Sequence, residues 1–180
     1  DVVELLEFNT KRWWTLPAFP NNNKTLQACV MVSLQDQVYV VGGMHADGQF
    51  SDTVHSFQFG VSEWEVLPKS SKNNEPRCYP AAVGLKDCIV VLGGRNAAWQ
   101  EVTTVESYTP ESKEWKQLGS FQEPRMAPAA VTMEYYSRIV LLGGYNGTKW
   151  TTSVEVLDVA QNQWSSNTIP AMPHRVAFPQ

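Results

Sequence analysis

The sequence VYVVGG at residues 38–43 recurs in nearly the same form as IVVLGG at residues 89–94 and IVLLGG at residues 139–144. Each copy runs a short apolar stretch, typical of a buried β-strand, directly into two glycines. Glycine loses more conformational freedom on folding than any other residue, so a repeated glycine pair indicates an architectural requirement. We therefore predict structural roles for six glycines: Gly42, Gly43, Gly93, Gly94, Gly143 and Gly144.

Tryptophans follow the same period. They stand at positions separated by 51, 51 and 49 residues, and each is preceded ten residues earlier by a valine. An apolar or aromatic residue follows each valine by three positions, which predicts two strands joined by a polar turn. We expect these rings to fill the space between neighbouring repeats, each burying about 150–250 Å². The four structural tryptophans are Trp13, Trp64, Trp115 and Trp164.

A second hairpin precedes each glycine pair. The segment YPAAVGLKDCIVVLGG at residues 79–94, for example, contains a strand of small residues, a polar turn and an apolar strand. Every repeat therefore contains four short strands and no predicted helix. The apolar runs lack clean alternation, which indicates burial on both faces, as in sheets that stack face to face. A period of about 50 residues with four strands per unit is typical of β-propeller blades.

These features resemble the kelch repeat. The resemblance rests on the glycine pair after an apolar strand, on Val105-Glu106 and Val154-Glu155 in the third strand, and on the closing tryptophan. It covers essentially the whole chain and implies an all-β fold, a partial kelch β-propeller of four-stranded antiparallel blades. Since propellers close with about 4–8 blades, we expect a longer polypeptide to supply the missing ones. The predicted units are a partial blade at 1–17, complete blades at about 28–68, 79–119 and 127–167, and the start of a further blade at 172–180.

Charge and composition argue against several classes of partner. The chain has 14 basic and 18 acidic residues, a net charge of −4 and no basic cluster, which disfavours nucleic acid. No apolar run approaches the roughly 18 residues needed to span a bilayer, so no membrane role is expected. The cysteines Cys29, Cys78 and Cys88 are odd in number and lie among apolar residues, which favours buried thiols and a cytoplasmic protein.

Catalytic motifs are not found in the sequence. The histidines His45, His55 and His174 lack the spacing of a metal site. The glycine pairs precede strands rather than helices, so they do not resemble phosphate-binding loops, and no GxSxG elbow occurs. Some kelch-like propellers are copper oxidases, but no ligand set can be assigned here. We expect a non-catalytic protein without metal or cofactor, with a metal-dependent propeller enzyme as the least favoured alternative.

The loops that follow the glycine pairs differ from one another, with the sequences MHADGQFSD, RNAAWQEV and YNGTKWTT. A constant framework with variable loops is typical of a scaffold that presents a binding site. The resemblance to kelch propellers implies that these loops, with the connections between blades, form one face around the axial opening. The predicted partner-binding residues on this face are Met44, His45, Arg77, Tyr79, Arg95, Asn96, Trp99, Arg125, Tyr145, Asn146 and Trp150.

The residue types on this face suit capture of a protein or peptide, since Arg, Tyr and Trp are enriched among interface hot spots. Arg95 could hold a carboxylate through two parallel hydrogen bonds, which favours an acidic or phosphorylated peptide. For Arg77 and Arg125, which recur at the same place in successive blades, structural bridging of loops is an equal alternative. For Trp99 and Trp150 the alternative is packing on a neighbouring loop.

Among kelch proteins, these repeats resemble those of BTB-kelch proteins. In that family the propeller recruits substrates for ubiquitination, and a BTB domain, here outside the chain, engages cullin-3. The resemblance implies the substrate-recognition module of a ubiquitin-ligase adaptor, with an actin-organising or other scaffolding module as the alternative. The first complete repeat departs from the pattern: Leu26 and Gln27 replace the arginine, and His55 the glutamate, of later repeats. Its contribution to the binding face is therefore open.

Overall fold

The computed structural model describes residues 3–20, 25–67, 75–133, 135, 137–166 and 168–175. Over these residues the chain forms strands and turns and contains no α-helix, which confirms the predicted all-β class. The strands, in chain order, are β1 (Val3–Glu7), β2 (Arg12–Leu16), β3 (Leu26–Gln27), β4 (Val30–Leu34), β5 (Gln37–Val41), β6 (Met44–His45), β7 (Val54–Gln58), β8 (Glu65–Leu67), β9 (Arg77–Cys78), β10 (Ala81–Leu85), β11 (Cys88–Leu92), β12 (Arg95–Asn96), β13 (Val105–Thr109), β14 (Glu114–Leu118), β15 (Ala129–Met133), β16 (Arg138–Leu142), β17 (Val154–Asp158) and β18 (Gln163–Ser165).

Three sheets of four antiparallel strands make up most of the structure. Their strand orders are β4-β5-β7-β8, β10-β11-β13-β14 and β15-β16-β17-β18, so each sheet follows the chain without a crossover. We call these the first, second and third blades. They lie within the segments predicted as 28–68, 79–119 and 127–167, although residues 68 and 167 are outside the described ranges. The repeat of four antiparallel strands predicted from the sequence is therefore confirmed.

The two ends of the chain carry less structure. Strands β1 and β2 pair as a two-stranded sheet within the predicted partial blade. Residues 172–175, the described part of the predicted further blade, contain no strand, and residues 176–180 lie outside the described residues. The side chain of Trp13 on β2 is 65% exposed, and among the described residues this hairpin pairs with no further strand. The predicted burial of Trp13 between blades is therefore wrong for this structure.

Neighbouring blades are joined by apolar cores. Along β11 the side chains from Ile89 to Leu92 are all at most 1% exposed, as the unbroken apolar run predicts. Successive residues of β11 point to opposite faces of the sheet. Ile89 therefore packs with the first blade and Leu92 with the third. Full burial of such a side chain stabilises the fold by about 1.5–3 kcal/mol. The second blade is thus held on both faces, as stacked sheets require.

The other tryptophans lie near these cores. Trp115 is buried against Tyr108, with ring centroids 5.2 Å apart. Trp64 and Trp164 are partly buried, and each indole N–H donates to a carbonyl at the end of the preceding blade. The acceptors are Pro17 O at 3.0 Å and Gly119 O at 2.7 Å. These rings connect the outermost strand of one blade to the chain that leaves the blade before it.

The glycine pairs lie where one blade meets the next. Gly93 and Gly94 have φ angles of 62° and 102°, which side chains disfavour. A Cβ atom on Gly93 would lie 2.7 Å from the carbonyl oxygen of Arg125 in the following blade. The N–H of Gly94 donates to that same oxygen at 2.9 Å, and Gly43 donates to Arg77 O in the same way at 2.8 Å. Glycine is required because the two backbones touch.

The first strands of the blades lie side by side around the axis. Ala28, Tyr79 and Ala127 precede these strands with left-handed φ angles of 55°, 54° and 49°. The N–H of Tyr79 donates to Ala28 O at 2.7 Å, and that of Ala127 to Tyr79 O at 2.8 Å, so one hydrogen bond passes from each blade to the next. Inside this belt lies an open, mainly apolar groove of about 820 Å³, lined by Cys29, Met31, Tyr79, Val131 and Leu142 among others.

Candidate binding face

The loops that join the second and third strands of each blade lie at the same end as the segments that enter the blades. Two-residue strand pairs, β3 with β6 and β9 with β12, link each entering segment to its loop in the first and second blades. In the third blade a single bridge between Met126 and Tyr145 replaces them. We define the loop face as loops 44–53, 95–104 and 145–153 together with entering segments 25–29, 75–80 and 121–128.

Each loop is a preformed turn. In the second blade the Asn96 side-chain oxygen accepts hydrogen bonds from the N–H groups of Ala98 and Gln100, both at 3.1 Å. Asn146 does the same in the third blade, accepting from Thr148 and Lys149 at 3.1 and 3.0 Å. Such loops lose little conformational freedom when a partner binds, which favours affinity.

The same two asparagines attach the loops to the entering segments. The Asn96 amide donates to Glu75 Oε1 at 3.2 Å, and the Asn146 amide donates to Glu123 Oε1 at 2.7 Å. Burial opposes ionisation of Glu123, but hydrogen bonds from Ser153 and Asn146 outweigh it and lower the pKa of this carboxyl. Asn96 and Asn146, predicted as partner contacts, thus position the loops of the face.

Arg77 and Arg125 lie inside the blades rather than on the face, with exposures of 2% and 0%. The Arg125 guanidinium donates to the carbonyl oxygens of Gly143 and Ser153 at 3.0 and 3.3 Å and pairs with Glu155 at 2.5 Å. Arg77 makes the equivalent bonds in the second blade and pairs with Glu106. The prediction that these arginines contact a partner is therefore wrong, because they bridge backbone and strand beneath the loops.

The buried carboxyl of the second blade has an altered pKa. Burial raises the pKa of Glu106 to about 7, and the charge of Arg77 opposes this rise without cancelling it. In the sequence, Glu106 and Glu155 stand out only as parts of a repeated motif; in the structure they are the partners of the two arginines.

The first blade fills the equivalent space differently. Leu26 stands in place of Arg77, and His55 in place of Glu106. His55 is 7% exposed, its ring centroid lies 4.6 Å from that of Phe19, and its Nδ1 has no hydrogen-bond partner among the described residues. Burial, followed by the charge of nearby His45, lowers the pKa of His55. This site is an apolar and aromatic substitute for a buried ion pair.

Trp99 is the most exposed aromatic residue of the loop face, at 52%. Its backbone is left-handed, with φ of 61°, an uncommon conformation for a bulky residue and one that clusters at functional sites. The Arg95 guanidinium lies 5.5 Å from the centre of its ring, and the Phe50 ring of the first blade meets it edge-on at 5.5 Å. We call Trp99 and Phe50 the aromatic pair; it spans the junction of two blades.

Arg95 is already bound to a carboxylate. Its Nε and Nη2 lie 3.0 and 2.9 Å from Glu101 Oε1. Its two donors on that edge therefore face a partner within the same loop, a pairing that no pattern in the sequence indicates.

The remaining predicted contacts lie in three places. Tyr145 and Trp150 pack against each other at 5.6 Å in the third loop, and Met44 and His45 form the partly buried strand β6. Tyr79 is 37% exposed and lines the axial groove instead of a loop. The structure thus brings most of the predicted residues to three adjacent loops.

Three further observations bear on the sequence predictions. Within the described ranges, no group of three or more His, Cys, Asp or Glu residues could hold a metal ion. Across the same residues, no helix has the length and apolar character to cross a membrane. The three cysteines are free: Cys78 is buried and Cys88 partly buried, but Cys29 is exposed at the groove, contrary to the expectation of burial.

Comparison with known proteins identifies the family. The family model described as the KLHDC2/KLHL20/DRC7 Kelch-repeats domain matches residues 1–134, and the Kelch motif model matches residues 128–166. Human Kelch-like protein 23 is 32% identical over 142 residues, which is 76% of this chain and 23% of the relative. Two Caenorhabditis elegans proteins, Kelch repeat-containing protein kel-10 and Kelch repeat and BTB domain-containing protein F47D12.7, are 26% and 25% identical over 170 residues. These cover 90% of this chain and 28% of each relative, so the chain spans about a quarter of the proteins it matches. The chain belongs to the kelch-repeat family.

Proposed function

We propose that this chain is the substrate-recognition module of a cullin-3 ubiquitin-ligase adaptor, which binds a protein or peptide through the loop face. Membership of the kelch-repeat family supports a protein-interaction role without catalysis. The finer assignment is supported by a relative whose name includes a BTB domain, the kind of domain that engages cullin-3 in the family resembled above. Free cysteines are consistent with the cytoplasmic location that we propose for the protein.

The exposed Trp99 carries the proposal for the loop face. A large aromatic ring held at 52% exposure by a turn with left-handed backbone belongs to none of the three apolar cores of the described residues. Tryptophan is among the residue types most enriched at interface hot spots. Because the loop is fixed by Asn96 and by the ion pair of Arg95 with Glu101, this ring is presented in one orientation.

The structure weakens the part of the sequence prediction that concerned an acidic or phosphorylated peptide. That part depended on the arginines of the face. Arg77 and Arg125 are buried in ion pairs, and Arg95 is paired with Glu101. We therefore do not include an acidic ligand in the proposed function.

An affinity purification of the full-length protein from cell extract tests the proposal. We would compare wild type with Trp99→Ala, and use Tyr135→Ala as the matched control. Tyr135 is 92% exposed on a turn between the first and second strands of the third blade, which places it at the opposite end from the loop face. Mass spectrometry would identify the proteins that each variant recovers.

We expect cullin-3 with all three proteins, and a further partner with wild type and Tyr135→Ala that is lost with Trp99→Ala. Recovery of that partner by Trp99→Ala at the wild-type level would refute the loop face as the site. Recovery of actin or other filament proteins without cullin-3 would refute the adaptor assignment and favour the scaffolding alternative.

A further inference from the structure

The second and third loops are each held by one asparagine, but the residue after that asparagine differs. Asn96 and Asn146 both accept backbone N–H groups on the side-chain oxygen, and both donate the amide to a glutamate of the entering segment. Asn96 is followed by Ala97, whereas Asn146 is followed by Gly147, and this is the one Asn-Gly pair in the sequence. The two loops therefore provide a matched comparison within one chain.

The residue after an asparagine decides how easily the side chain reacts. Asparagine is one of the chemically labile residues of proteins, because its amide carbon can be attacked by the backbone nitrogen of the next residue. A side chain on that next residue hinders the attack. Gly147 is exposed, has no Cβ and has a φ of 91°. The nitrogen of Gly147 is thus less hindered than that of Ala97, which carries a Cβ.

Three hydrogen-bond donors surround the side-chain oxygen of Asn146. The N–H groups of Thr148 and Lys149 lie 3.1 and 3.0 Å from it, and the Thr148 hydroxyl lies 2.9 Å from it. Negative charge develops on this oxygen when a nucleophile attacks the amide carbon, and donors that already point at the oxygen stabilise that charge. The turn that orders Asn146 therefore also favours attack at its amide carbon.

We propose that Asn146 is a site of spontaneous deamidation. The Gly147 nitrogen forms a bond to the amide carbon of Asn146, and the bond from that carbon to Nδ2 breaks. Nδ2 leaves as ammonia and takes the proton of the Gly147 N–H group. Solvent water then opens the cyclic imide at one of its two carbonyl carbons, which gives aspartate or isoaspartate. This inference goes beyond the proposed function and does not depend on it.

Deamidation changes the contact that anchors the third loop. The Asn146 amide donates to Glu123 Oε1 at 2.7 Å, and the product has a carboxylate in place of that donor. Two carboxylates at such a distance repel each other. Glu123 is also held by hydrogen bonds from Ser153 and Thr151, at 2.6 and 3.2 Å, so the product side chain should be the one that moves away. Loop 145–153 then loses this link to entering segment 121–128, while the second loop keeps its own.

Peptide mapping by mass spectrometry tests the reaction in the full-length protein, incubated in its folded state at neutral pH. We expect the peptide that contains Asn146 to convert to aspartate and isoaspartate several-fold faster than the peptide that contains Asn96. Equal rates at the two asparagines, or an Asn146 that stays intact, would overturn the inference. Neither result would affect the proposed function, because this assay contains no partner.

Two variants test the physical reasons for the difference. Ala97→Gly should raise the rate at Asn96 several-fold, because it removes the hindering Cβ. Thr148→Val should lower the rate at Asn146, because it removes the hydroxyl donor and keeps the backbone N–H. A rate that either variant leaves unchanged would contradict the role given to the glycine or to the hydroxyl.

Hydrogen–deuterium exchange of Asn146→Asp tests the structural consequence. We expect faster exchange in loop 145–153 than in wild type, with loop 95–104 unchanged. The double variant Asn146→Asp/Glu123→Gln reverses donor and acceptor and removes the repulsion, so exchange in loop 145–153 should return towards the wild-type rate. Wild-type exchange in Asn146→Asp would show that the loop does not need this anchor and would overturn the release of the loop.

Discussion

The first blade and the two that follow have the same backbone plan but differ in what lies beneath the loop face. The second and third blades each bury an arginine and a glutamate, Arg77 with Glu106 and Arg125 with Glu155. The first blade has Leu26 and His55 at these places, next to Phe19. Its glycine pair, however, makes the same close contact with the following blade. The comparison shows that the backbone requires the glycines in every blade. The space under a loop, in contrast, can be filled in either of two ways.

The largest effect should follow from breaking one of these ion pairs. Arg125→Leu removes the cation that pairs with the buried Glu155 carboxylate, which keeps only backbone N–H donors, and it removes the guanidinium donor from two backbone carbonyls. We expect the free energy of unfolding to fall by about 3–5 kcal/mol, the usual loss when one partner of a buried ion pair is removed. Chemical denaturation of wild type and variant measures this loss.

The double variant Arg125→Leu/Glu155→His places the first-blade combination in the third blade. Since it removes the unpaired buried charge, it should recover a substantial part of the stability lost in Arg125→Leu. If the double variant is as unstable as the single one, Leu26 with His55 cannot replace Arg125 with Glu155. That result would contradict the view that the two combinations are equivalent ways to fill this space.

A smaller loss is expected at the glycine pairs, which all three blades share. Gly93→Ala places a Cβ 2.7 Å from Arg125 O, so crowding of about 1–3 kcal/mol adds to the strain of the left-handed backbone. The control, Gly60→Ala, has a φ of 94° and no atom within 4 Å of its Cβ, so only the strain of about 1–2 kcal/mol remains. Equal losses in the two variants, by the same denaturation assay, would show that the close contact is not what requires glycine.

A change of pH should affect the second blade, through Glu106, and the first blade, through His55, in opposite directions. Burial raises the pKa of Glu106 to about 7 from an ordinary value of 4.5, so the folded state retains a proton that the unfolded state loses first. The contribution of Glu106 to stability is therefore lost as pH rises from 4.5 to about 7. Burial lowers the pKa of His55 from 6.5, so its contribution is lost as pH falls below 6.5.

Denaturation midpoints across this pH range would test both directions. Glu106→Gln should remove the loss of stability on the alkaline side, and His55→Phe should remove the loss on the acidic side. Phe is suitable at position 55 because the neighbour is the Phe19 ring and Nδ1 has no partner to lose. A pH profile that neither variant changes would contradict the assignment of these two groups.

The fold could be predicted because its signals repeat. The glycine pairs and the tryptophan period reflect contacts that recur from blade to blade because the blades share one backbone plan. Each such contact requires the same type of residue at the same position of every blade. Trp13 shows the limit of this reasoning, since a residue at the right position is exposed in a hairpin that, in the part of the chain the structure describes, pairs with no further strand.

The site was harder to predict, because the roles of its polar residues depend on partners distant in sequence. Arg77 and Glu106 are 29 residues apart, and Arg125 and Glu155 are 30 apart. The useful signal was the simultaneous change at both places in the first blade, to Leu26 and His55. Arg95 offered no such signal, because its partner Glu101 lies within a loop that differs in every blade.

The central claim is that a partner binds at the loop face. The opposite end of the blades also carries exposed aromatic side chains, Phe8 at 82% and Phe59 at 45%, so it provides an internal comparison. Hydrogen–deuterium exchange of the full-length protein, with and without the partner recovered in the affinity purification, distinguishes the two ends. We predict added protection in loops 44–53, 95–104 and 145–153 and none in turns 8–11, 59–62 and 110–113. Protection confined to the turns would contradict the account.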